Sequence, residues 1–468
     1  MKRLAIILVG FLLAAKCMAA THYVVPPGTA GATATDPYTN WATAGTNLID
    51  VVNAAITNTE SRLVWVTNGV YYPTNMINIP GHLTLQSVNG RDVTILDGSY
   101  STNKCLEFNW LGDFGCVFNG FTVRNYSYIN TASGTIHGGG IQVYNCLFDS
   151  NTNLNNAGGA VFIDLTGGKI TNCIFRNNYG STGGAIYESL HPGYAGYTTR
   201  ILDCRFENNR AASGGACWFY ACNHVISNCV FISNSASADS GGIYFRESNT
   251  NSLIANCAFT GNVAATYAGG IYALGQQTTI RNCSIVGNIA ANSGGGFYGT
   301  NMTIRNCLIA RNQATANIGG GIWANNSTME SCTIVSNYAK VAGGGVYING
   351  SGSSGTNSVI YFNTTTNTDT SAANFTNTAG NSGLNYSCVI PAVAGTGNIT
   401  NNPVLKDLAG GDYRLRMTSP CINTGTNQSW MTNAVDLDGN ARIRYGIVDM
   451  GAYETRIWQG TIFSIPGR

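Results

Sequence analysis

Charge is what this chain lacks most. Asp, Glu, Lys and Arg make up 10% of its 468 residues, against about 25% in an ordinary globular protein. The formal net charge is +2, so there is no basic footprint for nucleic acid. Proline is scarce as well, at 10 residues, which excludes a Pro-rich disordered chain. No apolar run reaches the ~20 residues that a membrane-spanning helix requires. There is no C-x-x-C pair, and the five His (22, 82, 137, 191 and 224) are scattered. No metal site is expected on that pattern.

What fills the chain instead is Gly (58) and Asn (55), within a composition that is 44% hydrophobic. Both are poor helix formers. Both tolerate the left-handed backbone of tight turns. Enough apolar surface remains for a long core, and the composition points to an all-β protein.

Residues 1–20 read as a secretory signal. Lys2 and Arg3 precede an apolar run from Leu4 to Ala15, and Ala19 or Ala20 ends a small-residue cleavage site. Twelve apolar residues are too few to cross a bilayer. Lys16 before Cys17 spoils a lipidation site. Loss of Lys2, Arg3 and Lys16 would take the net charge to −1 (+2 − 3). The mature chain is expected to be secreted or held at the outer cell surface, as a monomer without a transmembrane helix.

The middle of the chain repeats. Asn145-Cys146-Leu147-Phe148-Asp149-Ser150-Asn151 returns with Cys at 173, 204, 229, 257, 283, 307 and 332, at steps of 24 to 31 residues. Between these elements lies Gly-Gly-small-apolar-aromatic, as in Gly183-Gly184-Ala185-Ile186-Tyr187. The apolar segments are short and alternate, which is strand spacing. A period of about 25 residues suits one coil of a parallel β-solenoid, stacked at ~4.8 Å per coil. About a dozen such coils are expected over residues 21–400. Stacking predicts ladders: the eight Cys, Phe148 with Phe175, Phe206, Phe231 and Phe259, and the terminal Asn of each element, whose turn is expected to need a left-handed residue.

Fifteen Cys in an exported chain invite disulfides. Side chains stacked in register point the same way, however, so the ladder reads as small apolar filler. The state of Cys388 and Cys421, outside the repeat, stays open. Residues 46–56 predict a short amphipathic helix over the first coil, with Asn47 as N-cap and Leu48, Val51, Val52 and Ala55 on one face. Strands follow at Leu63 to Val66 and Leu83 to Gln86. The repeat fades after Tyr347, so 350–400 reads as irregular last coils with long surface loops. Residues 401–455 read as an irregular C-terminal cap or anchor-like module, and 456–468 as a tail.

Phe175-Arg176-Asn177-Asn178 with Gly183 to Ile186 resembles the repeats of polymorphic outer-membrane proteins. More widely, the chain resembles right-handed parallel β-helix proteins of the pectin-lyase-like superfamily. Val435-Asp436-Leu437-Asp438-Gly439-Asn440-Ala441-Arg442 and Val448-Asp449-Met450-Gly451-Ala452-Tyr453-Glu454 look like the end of the choice-of-anchor Q family. Pro37 to Ala44 is similar to that family's start. The resemblance implies a right-handed coil and a surface role, and its superfamily includes polysaccharide lyases and hydrolases. The mode of attachment stays open.

An enzyme of that kind would need convergent carboxylates or acidic calcium ligands with a basic residue. The sequence shows isolated ones: Asp149, Asp164, Glu188, Asp203, Glu207, Asp239 and Glu247. Glu188 and Glu247 could approach across coils, but both read as solvated surface. Asn367-Thr368-Asp369 matches one hydrolase fragment without its partners. No catalytic residue is assigned. Asp436 to Asn440 resembles part of a calcium loop without its later Glu; a structural turn is the stronger reading, and no other cofactor is expected.

Binding has the better handle. If the apolar residue of each Gly-rich element points inward, its follower points outward. The followers are Phe162, Tyr187, Trp218, Tyr244, Tyr272, Tyr298, Trp323 and Tyr347, with Gln142 taking that place one coil earlier. Such a stripe is either a stacking platform for polysaccharide or a self-packed ladder. The expectation is a binding or adhesion protein for polysaccharide or another cell-surface component. A carbohydrate-active enzyme and a structural spacer are the alternatives.

Overall fold

Alternation and two left-handed turns shape each coil of the rod. The computed structural model describes residues 20–57, 62–79, 81–108, 115–129, 133–155, 157–164, 166–189, 196–220, 222–246, 251–275, 277–366, 372–378 and 383–456. Residues 1–19, where a secretory signal is expected, Glu247, Asn367 to Asp369, and the tail beyond Arg456 lie outside them.

One coil serves for all. Strand Ile141–Tyr144 buries Ile141 and Val143. Asn145 (φ 53°) turns the chain, and Leu147–Asp149 then buries Phe148. Ser150 (φ 57°) makes the next bend into Thr152–Asn153. Val161–Asp164 follows the glycine pair, and Gly168–Thr171 returns to pair with Ile141–Tyr144. Four parallel sheets result, numbered I to IV in that order, of 14, 13, 10 and 12 strands. The rod is a right-handed parallel β-helix, as expected.

The inner ladders are in register. Phe148, Phe175, Phe206, Phe231 and Phe259 stack at centroid spacings of 4.9, 4.9, 4.7 and 4.5 Å, with planes within 4°. The terminal Asn residues form a second buried ladder. Asn262 Nδ2 donates to Asn288 Oδ1 (2.8 Å) and to the Phe231 carbonyl (3.0 Å), and Asn262 Oδ1 accepts from the Asn234 amide at both N and Nδ2. The left-handed residue is not this Asn. It is the residue before it, as at Asn177, Asn208 and Ser233, and the residue before each ladder Cys, Asn at 228 and 256 but Asp203 and Ser331 elsewhere. The terminal Asn needs β backbone because its side chain must point inward to reach the next coil. The Asn before Cys forms an outer ladder that periodicity had not suggested, with Asn282 Nδ2 donating to Asn256 Oδ1 at 3.2 Å.

The Cys ladder is made of thiols. Cys229 N–H donates to Cys257 Sγ, and Cys257 N–H to Cys283 Sγ, both at 3.4 Å. Every cysteine among the described residues is free, including Cys388 and Cys421, which share a cluster beneath the C-terminal segment. The glycine pairs are sterically required. Gly214 has φ +65°, and a Cβ on Gly215 would lie 2.4 Å from the Gly241 carbonyl oxygen of the next coil.

The helix α1 (Leu48–Ile56) closes the first coil with Leu48, Val51, Val52 and Ala55 buried, and Asn47 Oδ1 accepts from Ile49 N–H. The other end is more regular than its composition suggested. Ser354–Thr356, Val359–Tyr361, Leu384–Asn385 and Cys388–Val389 continue the sheets in register. Ser358 and Ser387 take the Cys position, their hydroxyls accepting from Cys332 and Ser358 N–H. The segment after Asn401 runs back along the flank of sheet II rather than only closing the end. Its Tyr413, Leu415, Cys421 and Met450 cover Leu308, Ala310, Val335 and Val359.

Candidate functional site

The outward row of sheet IV carries the chemistry of the surface. Pairing in register sets Asn78, Glu107, His137, Phe162, Tyr187 and Trp218 side by side, then Tyr244, Tyr272, Tyr298, Trp323, Tyr347 and Thr376. All eight predicted aromatics therefore share one row. Their ring faces are turned on each other. Centroid spacings from Phe162 to Trp323 run 5.1, 4.8, 6.0, 4.5, 5.5 and 4.1 Å. Phe162, Trp218 and Trp323 are buried, and the five Tyr are half-buried. What the row offers solvent is ring edges and phenol ends.

Gln142 is not the row's earlier member. It lies on sheet I beside Lys169. The place belongs to His137, in Ile136–Gly138, because the glycine run 138–140 follows its strand instead of preceding it. The His137 ring stacks on Phe162 at 4.5 Å and 8°.

His137 joins a charged cluster that the sequence did not reveal. Its Nδ1 lies 3.0 Å from Glu107 Oε1 and 3.1 Å from Oε2, and Lys104 Nζ pairs with the same carboxylate. Nε2 is 3.7 Å from Asp164 Oδ2, a distance for charge attraction rather than a hydrogen bond. Burial acts to raise the Glu107 pKa, but His137 and Lys104 outweigh it and hold the carboxyl below its usual range. Burial acts to lower the His137 pKa, and the Asp164 and Glu107 carboxylates outweigh that and raise it. Each group thus favours the charged form of the other.

A groove of about 600 Å³ opens beside this cluster, lined by Met76, Asn103, Lys104, Glu107, Tyr128 and Ile129. Ile129 is 69% exposed and Tyr100, on the loop leading to the groove, 74%. Tyr72 lies 5.3 Å from Tyr100, centroid to centroid. These two rings are tilted against each other and far more exposed than those of the stacked row. A cleft of similar size, about 620 Å³, lies on the C-terminal segment. There the ionic groups neutralise one another, Arg414 donating to both Asp438 oxygens at 2.6 and 2.7 Å. Asp436 is not arranged as a calcium ligand. Its oxygens accept from the N–H groups of Asp438, Asn440 and Glu454, which makes it the hub of a structural turn.

The other carboxylates divide. Asp149 and Glu207 pair on the surface with Arg176 and Arg205. Glu188 is not on the surface but wholly inside the rod. The period-two rule that puts Ile186 inside puts Glu188 there too. Its Oε2 lies 2.8 Å from His224 Nε2, while Oε1 accepts from Thr199 (2.5 Å) and the Cys222 thiol (3.1 Å). Burial, then the Glu188 charge, pushes the Cys222 thiol up.

Residues 193–369 match a family profile described as a right handed beta helix region. No curated protein matches the chain. Among solved structures it is similar to a PL6 family alginate lyase, at 11% identity and TM-score 0.44 over 81% of this chain and 53% of that one. The chain thus spans about half the length of that lyase. It is also similar to a pectate lyase (13%, TM-score 0.34, covering 93% and 96%) and to a tailspike protein (12%, TM-score 0.33, covering 78% and 70%).

Proposed function

We propose that this is an exported or cell-surface β-helix protein that binds polysaccharide at the N-terminal end of sheet IV. The reading rests on one observation: exposed Tyr72 and Tyr100 on the chain leading to a groove lined by Lys104 and Glu107, with His137 paired to the same carboxylate. Sugar rings present one apolar face and a rim of hydroxyls. The aromatic faces take the first and the ionic groups take the second. The stacked row continues the track along the rod axis and offers phenol hydroxyls to a long chain. Its covered ring faces make it the secondary contact, where sequence alone left platform and self-packed ladder open. The surface role implied by the resemblance to choice-of-anchor Q proteins and polymorphic outer-membrane repeats fits an adhesion protein with this groove as its reader.

Retention on a panel of neutral and uronate polysaccharides tests this. Tyr100→Ala should weaken retention about tenfold, as loss of one stacking contact of about 1.4 kcal/mol would. Trp218→Ala should act mainly on stability. Retention unchanged by Tyr72→Ala, Tyr100→Ala and Lys104→Ala together would remove the groove from the account.

A carbohydrate-active enzyme is the second reading, and a specific cluster favours it. Two carboxylates flank one imidazole, with a lysine alongside, and Lys104 and Glu107 of this set line the groove. Such a set can take and return a proton at a sugar carbon or glycosidic oxygen. The same panel scored for new chain ends decides it: cleavage lost in both Glu107→Gln and His137→Gln would establish the enzyme.

A further inference from the structure

We propose that Glu188, Cys222 and His224 form a structural zinc site inside the rod. Three donors of different kinds converge there, all completely buried. His224 Nε2 is 2.8 Å from Glu188 Oε2 and 3.3 Å from Cys222 Sγ, and Sγ is 3.1 Å from Glu188 Oε1. The donor–donor edges of a tetrahedral zinc site built from usual bond lengths are about 3.3–3.6 Å. The short contacts use both Glu188 oxygens, and one donor atom from each of the three residues lies within 4.8 Å of the others, close enough for small side-chain shifts to admit the ion. Thiolate, imidazole and carboxylate together are a donor set for zinc rather than for calcium or magnesium. The Thr199 hydroxyl, which donates to Glu188 Oε1 at 2.5 Å and lies 3.9 Å from Cys222 Sγ, holds the carboxylate in place.

The surroundings sharpen the point. Along the inward row of sheet IV, Glu188 follows Gly138 and Ile163 and precedes Phe219, Phe245 and Ala273. A carboxylate and an imidazole in that apolar row carry a desolvation cost that packed hydrophobic residues would avoid. A divalent cation offsets it. His224 is already oriented for ligation. Its Nδ1 lies 3.3 Å from Ser252 Oγ, so an Nδ1–H donated there leaves the Nε2 lone pair for the metal. Rings of Phe219 and Phe245 pack against the imidazole at 4.5 and 5.3 Å and keep water away. On binding, the Cys222 S–H proton and the proton held between His224 Nε2 and Glu188 Oε2 are released to solvent, while Nδ1 keeps its own. It then ties strand Ile186–Ser189 to strand Asn223–Ser227 from within.

The test is metal content. The purified full chain, loaded with Zn2+ and dialysed, should retain about one zinc per chain. Cys222→Ser and His224→Gln should each lose it, while Cys257→Ser, a rung of the thiol ladder, should keep it. Cobalt substitution should give a thiolate-to-metal charge-transfer band absent from Cys222→Ser. If neither ligand variant folds by circular dichroism, the cobalt band of the unaltered chain decides: present, it supports the site; absent, it overturns it. Folded protein without bound zinc, or equal zinc in all four proteins, also overturns it.

Discussion

His137 and Glu107 meet across one coil, imidazole Nδ1 3.0 Å from carboxylate Oε1, at the point where the aromatic row of sheet IV begins. This contact makes stability depend on pH in a defined direction. The folded state raises the His137 pKa above its ordinary value and lowers that of Glu107. The His137 contribution is complete below about pH 6.5 and fades as pH rises through its folded pKa. The Glu107 contribution is present above its unfolded pKa near 4.5 and fades as pH falls through its lower folded value. The pair therefore stabilises most in weak acid. Melting temperatures of the unaltered chain and His137→Gln should converge as pH rises above about 7. A gap that widens with rising pH would contradict the ionised pair.

The two Asn ladders should differ in weight. Asn262→Ala leaves the Asn234 N–H and Nδ2 and the Phe231 carbonyl without their partner in a dry interior. The cost should be about 3 kcal/mol or more. Asn256→Gly, which keeps the left-handed backbone on the exposed ladder, should cost less than about 1 kcal/mol. Denaturant midpoints of the two variants give the comparison.

Phe206 sits between Phe175 and Phe231 with no exposed surface. Phe206→Ala should leave a cavity costing about 3–5 kcal/mol. Phe206→Leu should cost less, since Ile285 and Ile309 hold the same place in later coils. Calorimetric melting should rank them in that order. Reductant should shift none of these melting points, because the ladder sulfurs are thiols.

Arg442 is fully buried and donates to Glu454, to the Gly451 and Asp449 carbonyls, and to Asn306 of the rod. Burial pushes the Glu454 carboxyl pKa up to about 8 even beside Arg442, so loss of Arg442 leaves the buried Gly451 and Asp449 carbonyls and the Glu454 carboxyl without their donor. Arg442→Ala should cost about 3–5 kcal/mol and loosen the segment after Asn401 from sheet II. Limited proteolysis should then cut that segment first while the β signal of the rod persists.

Much of the rod was readable because a solenoid repeats its solutions. One Cys and one Asn every 25 residues or so required the same side chain to meet itself in the next coil, and α1 showed its buried face through simple spacing. The last coils read as irregular because Ser replaces Cys in Asn357-Ser358-Val359-Ile360, although the pattern persists. Glu188 was readable in principle from its alternation with Ile186, but its polarity argued for the surface.

Periodicity along the chain was enough for the coil, the ladders and the outward aromatic row, since each depends on neighbours one period apart. Only the folded rod decided which strand each glycine run belongs to, and therefore that His137 and not Gln142 heads the row. It also decided that Lys104, Glu107, His137 and Asp164 meet, and that Glu188 finds His224. Those contacts join different elements across uneven loops, where separation in sequence carries no fixed distance in space.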